Sequence, residues 1–202
     1  PLPESVSRPV SPLAAGRLVE RNGDEWHLRL GVPAVALWNW LQAPEAVMRC
    51  LPGATLTGGV GSRGELGQHL SFIMTVAIGP MRASFEGDGI VRFNAAERSG
   101  ELTSSGHDVH SRTRASGAMT FRVVDEGAQS SLCLGLDYQL QGDLAQYSRG
   151  AVVDAVTEQL LIRFAENVGR AVAGEHFEDQ SEISGAALAR AAFWQKLKRF
   201  FV

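Results

Sequence analysis

Hydrophobic and polar residues alternate in the middle of the chain along residues 70–78, 81–93, 115–123 and 132–140. In the last of these stretches, Leu132 and Leu134 fall on one side and Cys133 on the other. An earlier stretch, residues 25–30, has the same pattern. Alternation with a period of two is typical of strands that are buried on one face only. The pattern predicts an antiparallel sheet whose apolar face needs a cover.

Helical periodicity appears on both sides of these strands. Residues 33–53 start with a proline and carry apolar residues at helical spacing, with a break at Ala43-Pro44, which predicts two short helices. Residues 143–172 are apolar around more than half of a helical circumference. We expect this long helix to cover the sheet. The element order therefore predicts an α+β helix-grip fold, in which a curved antiparallel sheet surrounds the long C-terminal helix and an apolar cavity lies between them.

The composition changes at both ends of the predicted domain, which spans residues 24–173. Residues 1–23 begin with a proline-rich stretch that lacks an amphipathic period, which predicts a flexible leader. Residues 174–185 are rich in acidic side chains and predict a solvated linker.

The last segment, residues 186–202, contains four basic residues and no acidic residue. A helical wheel places its large apolar side chains on one side, which predicts a basic amphipathic helix lying in a membrane interface. The alternative is that this helix packs against its own domain or another subunit. The residues expected to contact an anionic membrane surface are Phe193, Trp194, Lys196, Leu197, Lys198, Arg199, Phe200 and Phe201.

Charge and composition exclude several classes of protein. The 202 residues carry a net charge of −3, which argues against nucleic-acid binding by the chain as a whole. Neither a membrane-spanning run of about 18 apolar residues nor a secretory signal is present, so we expect a cytoplasmic protein. Cys50 and Cys133 lack any CxxC or Cys/His spacing, which predicts reduced, buried thiols.

Three candidate chemical motifs are weak. Residues 59–64 fit G-x-G-x-x-G, but a predicted strand follows where a dinucleotide site needs the start of a helix, so we expect a loop. His107 and His110 are three residues apart without a third metal ligand nearby, and we expect them to be surface residues. A G-x-S-x-G elbow is absent, and neither cysteine lies in a catalytic context. We therefore predict no catalytic residue and no metal.

Four blocks carry a family resemblance. They are "LWNWLQAPEAVMRCLPGATL" at 37–56, "IGPMRASFEGDG" at 78–89, "ASGAMTFRV" at 115–123 and "GDLAQYSRGAVVDAVTEQLLIRFAENV" at 142–168. Together and in this order they resemble the CoxG family of carbon monoxide dehydrogenase, which belongs to the START-like (SRPBCC) superfamily. The chain departs from the family pattern in its proline-rich leader, in the Gly-rich insertion around 58–67, and at Arg82 and Glu86.

The resemblance implies a non-catalytic accessory protein of molybdenum-containing dehydrogenases of the CO type. It implies that the apolar cavity holds a non-covalently bound respiratory quinone, menaquinone or ubiquinone, and that the C-terminal tail docks at the inner face of the cell membrane. Two alternatives remain open from the residues. One is an adaptor that recruits the dehydrogenase without carrying a ligand, and the other is a START-like enzyme acting on an aromatic substrate.

The two-residue period of the strands and the helical period of the last helix place the predicted ligand-binding residues on the side that faces the cavity. Each of them could simply be core, and only the family resemblance favours a ligand-binding role. Tyr138 is the main polar group among them. The set is Phe72, Met74, Met81, Phe85, Met119, Phe121, Leu134, Tyr138, Tyr147, Ala151, Val152 and Ala155.

Overall fold

The computed structural model describes residues 18–61, 64–78, 81–145 and 151–174, and for residues 78, 81, 151 and 152 it describes the backbone alone. The described residues form eight strands and three helices. Their order along the chain is β1 (Val19–Asn22), β2 (Glu25–Leu30), α1 (Ala34–Leu41), α2 (Pro44–Cys50), β3 (Ala54–Leu56), β4 (Gln68–Ile78), β5 (Met81–Asn94), β6 (Ser99–Asp108), β7 (Arg114–Glu126), β8 (Gln129–Gln141) and α3 (Ala151–Val172).

The strands form one curved sheet in the order β1-β2-β8-β7-β6-β5-β4-β3, with every paired neighbour antiparallel. Residues paired across strands share a face, so Trp26, Leu134 and Phe121 lie together on what we call the inner face. Helix α3 packs on this face and contributes Leu161 and Phe164 to the core. The opposite face is the outer face. This arrangement confirms the predicted helix-grip fold.

The two short helices close one side of the core. Pro33 precedes α1, and Pro44 is the first residue of α2. The N–H groups at the start of a helix have no intrahelical acceptor, so a proline, which lacks the N–H, costs no hydrogen bond there. The side chain of Asn167 on α3 donates a hydrogen bond to the Cys50 carbonyl oxygen at 3.0 Å. The last carbonyls of a helix lack intrahelical partners, so this bond satisfies one of them and ties α2 to α3.

The structure differs from the sequence-based expectations at four elements. The alternation does not predict β1, β3 or β6. Strand β1 lies inside the expected leader of residues 1–23 and pairs with β2, so the sheet begins before residue 24. Strand β6 carries one large apolar residue on its inner face, Leu102, because the positions on either side along that face are Gly100 and Ser104. Its place in the sheet comes from its hydrogen bonds to β5 and β7.

The long helix is also shorter than predicted in the described region. Asp143 and Leu144 lie in a turn rather than in the helix, and the described helix is Ala151–Val172. Gly142 precedes this turn with a φ of 101°, a conformation that side-chain-bearing residues rarely adopt. The backbone leaves β8 at this glycine and turns before the helix.

Glycines on the inner face of β6 allow close approach of neighbouring groups. A Cβ at Gly100 would collide with the ring of Phe121 and with the Arg92 carbonyl oxygen. A Cβ at Gly106 would lie 2.7 Å from the Glu86 carbonyl oxygen. Both positions therefore require glycine for packing reasons rather than for flexibility.

Candidate functional site

An apolar cavity of about 120 Å³ lies between the helices and the inner face of the sheet. The sheet forms its floor, α2 and the end of α1 form one wall, and α3 crosses above it. All of the described lining residues are apolar. They are Leu41, Pro44, Val47, Met48, Leu51, Leu70, Val91, Phe93, Leu102, Met119, Phe121, Leu132, Leu134, Leu161 and Phe164.

Aromatic rings shape one side of this cavity. The Phe93 ring meets Phe121 edge to face at 5.9 Å between centroids, and Trp38 meets Phe93 in the same manner at 6.0 Å. Edge-to-face pairs of this kind contribute about 0.5–1.5 kcal/mol beyond the area that they bury. Since Gly100 provides no side chain, the tip of the Phe121 ring approaches the backbone of β6 closely at this position.

The structure brings three of the predicted ligand-binding residues together. Met119, Phe121 and Leu134 line the cavity. Among the other predicted residues with described side chains, those that do not line this cavity are Phe72, Met74, Phe85, Tyr138 and Ala155.

Phe72, Met74 and Phe85 nevertheless occupy the inner face, because Phe72 pairs with Gly87 and Met74 with Phe85. All three are partly buried. They form an apolar continuation of the inner face beyond the cavity, which we call the apolar extension. Their roles as ligand contacts stay predictions.

Other predicted residues lie outside the described part of the chain. The side chains of Met81, Ala151 and Val152 are not described, and Tyr147 falls in the undescribed residues 146–150. The linker beyond Gly174 and the predicted membrane-binding helix also fall outside the described residues. The membrane-contact predictions concerned are those for Phe193, Trp194, Lys196, Leu197, Lys198, Arg199, Phe200 and Phe201.

Sequence reasoning missed much of the cavity wall. The α1–α2 segment supplies five of the lining residues, from Leu41 to Leu51, although its apolar spacing was visible in the sequence. Leu102 was missed because its strand was not predicted. Leu161 and Phe164 have the helical spacing of a buried face, and that signal identifies them as core without distinguishing a ligand contact.

The end of the sheet beside the apolar extension is braced by polar contacts. Thr113 is fully buried, and its Oγ1 accepts hydrogen bonds from the Leu144 N–H at 3.0 Å and from the Ser111 hydroxyl at 2.9 Å. Asp108 is 3% exposed and accepts a 2.6 Å hydrogen bond from the Ser84 N–H. These bonds fix the β6–β7 turn against β5 and against the chain that follows β8.

The carboxyl of Asp108 stays ionised in this setting. Burial alone would raise its pKa, but hydrogen bonds from the Ser111 side chain and from the backbone of Ser84 and His110 outweigh burial and lower the pKa below its usual value. The charge is used locally to hold the turn, since its partners are the hydroxyl and N–H groups of neighbouring residues.

A larger groove of about 1180 Å³ crosses the outer face of the sheet. Its lining is mostly polar, with the exposed Glu86 and Asp88 on β5 and the exposed Arg114 on β7. Asp88 is already engaged by the Ser71 hydroxyl at 2.6 Å. Because acidic and basic side chains both line this open groove, it favours neither an anionic nor a cationic ligand. The smaller apolar cavity is the better candidate, since it excludes water from a defined set of side chains.

The remaining candidate chemistry is structural. Cys50 and Cys133 are free and buried, which confirms the predicted buried thiols. In the described residues no group of three or more His, Cys, Asp or Glu side chains could hold a metal ion. A strand, β4, follows the Gly-rich stretch, as predicted. None of the described helices has the length and apolarity needed to cross a membrane.

Comparisons with solved structures show the fold. A conserved protein from Geobacillus kaustophilus is 13% identical and superposes with a TM-score of 0.60, covering 76% of this chain and 96% of its own. A protein from Thermus thermophilus is 13% identical with a TM-score of 0.53, covering 74% and 96%. A START superfamily protein from Mycobacterium smegmatis is 15% identical with a TM-score of 0.50, covering 74% and 96%.

Sequence comparison identifies the family. No curated protein sequence matches the chain significantly. The family model for CoxG, a subunit of carbon monoxide dehydrogenase, matches residues 27–173, which extend from β2 to the end of α3. The START-like neighbours share the same sheet and helix arrangement. The chain therefore belongs to the CoxG family of carbon monoxide dehydrogenase.

Proposed function

We propose that this protein is a non-catalytic, ligand-binding accessory protein that carries an isoprenoid quinone between the membrane and a molybdenum-containing dehydrogenase of the CO type. The observation that carries the proposal is the wholly apolar cavity under α3. Among its described lining residues none is ionisable, so the cavity offers no group for acid–base chemistry. It offers a place for an apolar guest.

The size of the cavity limits what it holds. Cavities of about 150 Å³ with apolar walls bind one benzene-sized molecule. At about 120 Å³, the cavity accommodates a single ring or a short stretch of isoprenoid chain. A longer ligand must continue along the apolar extension of Phe72, Met74 and Phe85. Met and Phe side chains suit such a guest because they adapt to irregular apolar shapes.

The energetic case for a carrier rests on desolvation. Each buried CH₂ contributes about 0.8 kcal/mol, so one five-carbon isoprene unit contributes about 4 kcal/mol when it leaves water. A quinone that leaves a bilayer loses this stabilisation unless the protein surface that receives it is equally apolar. The lining of the cavity meets that requirement, and no covalent step is needed.

The C-terminal sequence supports delivery from a membrane. Large apolar side chains contribute about 1.5–3 kcal/mol each on burial, and a basic residue near anionic lipid contributes about 1 kcal/mol. Ordering the segment costs on the order of 1 kcal/mol per residue, which offsets much of this attraction. The expected outcome is reversible attachment, which a carrier needs.

Mass spectrometry of organic extracts from natively purified protein tests the ligand. We expect an isoprenoid quinone in the wild type. A Leu102→Trp variant, which fills the cavity, is expected to lose most of it. A Leu66→Trp variant makes the same substitution at a loop residue that is 79% exposed, and it should retain the ligand. A wild-type protein that is empty and also rejects added quinone would contradict the carrier and favour the docking adaptor.

Liposome flotation tests the tail. Full-length protein is expected to float with vesicles of phosphatidylglycerol and phosphatidylcholine, while a truncation after residue 185 is expected to remain at the bottom of the gradient. High salt should weaken flotation, because screening reduces the attraction of the basic residues. Equal flotation of the two proteins would rule out the tail as the anchor.

A further inference from the structure

A polar cluster lies beside the apolar inner face where α3 begins. Arg21 on β1 forms an ion pair with Asp154 in the first turn of α3, with 3.0 Å between Nη1 and Oδ1. The Arg21 guanidinium also lies 5.4 Å from the centre of the Trp26 ring, and its Nε donates to the Gly23 carbonyl oxygen at 3.2 Å. These contacts hold the Arg21 guanidinium in place although its side chain is 44% exposed.

Tyr138 belongs to the same cluster. By strand alternation it shares the inner face with Leu134 on β8, yet it is 43% exposed. Partial burial raises the pKa of its hydroxyl, the Asp154 carboxylate raises it further, and Arg21 opposes the shift. The phenol therefore lies within electrostatic reach of both charges, and it remains protonated at neutral pH.

The cluster lies at a defined separation from the cavity. Tyr138 is four residues after Leu134, which lines the cavity, and this corresponds to about 13 Å along a strand. Asp154 is seven residues before Leu161, which also lines the cavity, and this corresponds to about 10 Å along a helix. A single amphipathic molecule of ordinary length can therefore place an apolar part in the cavity and an oxygen atom at Tyr138.

We propose that Tyr138, which lies on the inner face near the Arg21–Asp154 ion pair, hydrogen-bonds an oxygen of the ligand's ring and sets its orientation, with the apolar tail in the cavity and the ring beside Tyr138. This inference rests on the proposed function. A purely hydrocarbon ligand would be served as well by leucine at position 138, whereas a phenol can donate to a quinone oxygen or accept from a quinol hydroxyl. The ring then stays accessible to a redox partner while the tail is bound.

Competition binding to full-length protein with two probes that share a ten-carbon chain on a six-membered ring tests the orientation. Decylubiquinone has a ring with oxygen atoms, and decylbenzene has a ring without them. Tyr138→Phe is expected to weaken decylubiquinone binding by about two- to tenfold, the effect of one hydrogen bond, and to leave decylbenzene binding unchanged. The double variant R21Q/D154N is expected to weaken decylubiquinone binding selectively as well.

The control is Arg98→Gln, which breaks an ion pair with Asp125; neither residue lines the cavity, so the substitution should change neither affinity. Unchanged decylubiquinone binding by Tyr138→Phe would overturn the orientation while leaving the carrier intact. Equal loss for both probes would also overturn it, because a structural defect does not distinguish them. A wild type that binds neither probe would refute the proposed function and this inference with it.

Discussion

Replacing Phe121 by alanine tests whether the inner face is packed as described. Its ring is 7% exposed, meets Phe93 edge to face and forms part of the cavity wall. Phe-to-Ala substitutions in cores cost about 3–5 kcal/mol through lost transfer free energy and the void left behind. Here the void cannot be filled from the strand below, because Gly100 has no side chain. We therefore expect a loss of about 3–5 kcal/mol and a merged, larger cavity.

Urea unfolding followed by circular dichroism measures the loss, with Arg122→Ala as the matched control. Arg122 is the next residue along β7, faces the outer side and is exposed, so its truncation should change the free energy of unfolding by less than about 0.5 kcal/mol. The enlarged cavity should also bind benzene. At 100 times its dissociation constant, benzene would restore about 2.7 kcal/mol to the Phe121→Ala variant.

Two results would refute the reasoning. A loss below about 1 kcal/mol in Phe121→Ala would mean that the ring is not part of a packed core. A full loss without any stabilisation by benzene would mean that the space left by the ring does not merge with the observed cavity into a site that an apolar ligand can enter.

Two further predictions concern glycine and cysteine positions. Gly106→Ala places a Cβ 2.7 Å from the Glu86 carbonyl oxygen, so it should lower the free energy of unfolding, measured in urea, by about 1–3 kcal/mol. Gly169→Ala in α3, where a Cβ would have nothing within 4 Å, should instead raise the free energy of unfolding by about 0.5–1 kcal/mol. Equal effects of the two substitutions would contradict the close approach at Gly106. Burial raises the pKa of the Cys50 thiol to about 11, although the charge of Arg49 opposes the shift, so the neutral thiol is favoured in the folded state. As pH rises from 8 to 10 the unfolded thiol ionises first, and stability should fall by about 1–2 kcal/mol more in the wild type than in Cys50→Ala; parallel pH profiles would contradict this.

Parts of the fold could be predicted because their residues carry a periodic signal. Strand β2 was predicted with the bounds that it has, and β4, β5, β7 and β8 within a few residues, since each alternates apolar and polar side chains. The proline positions and helical spacing likewise located α1 and α2. A strand without that signal, β6, was missed because glycine and serine occupy most of its inner positions.

The candidate site was harder to predict than the fold. The alternation of apolar and polar residues correctly placed Phe72, Met74 and Phe85 on the inner face. This alternation does not show how far along each strand the helix covers the sheet. Arg21 fell in the expected leader, so no local pattern connected it with Asp154 on α3. That ion pair exists only because β1 adds to the edge of the sheet where α3 begins.

The sequence by itself determined which faces are apolar, and hence the helix-grip class and the family, because periodicity and ordered motifs are properties of the chain alone. Only the tertiary structure decided where the cavity lies, how small it is, and which polar side chains stand beside it. The cavity walls come from all three helices and from the neighbouring strands β4 to β8. Their separations follow from packing between residues distant in sequence, which no local pattern encodes.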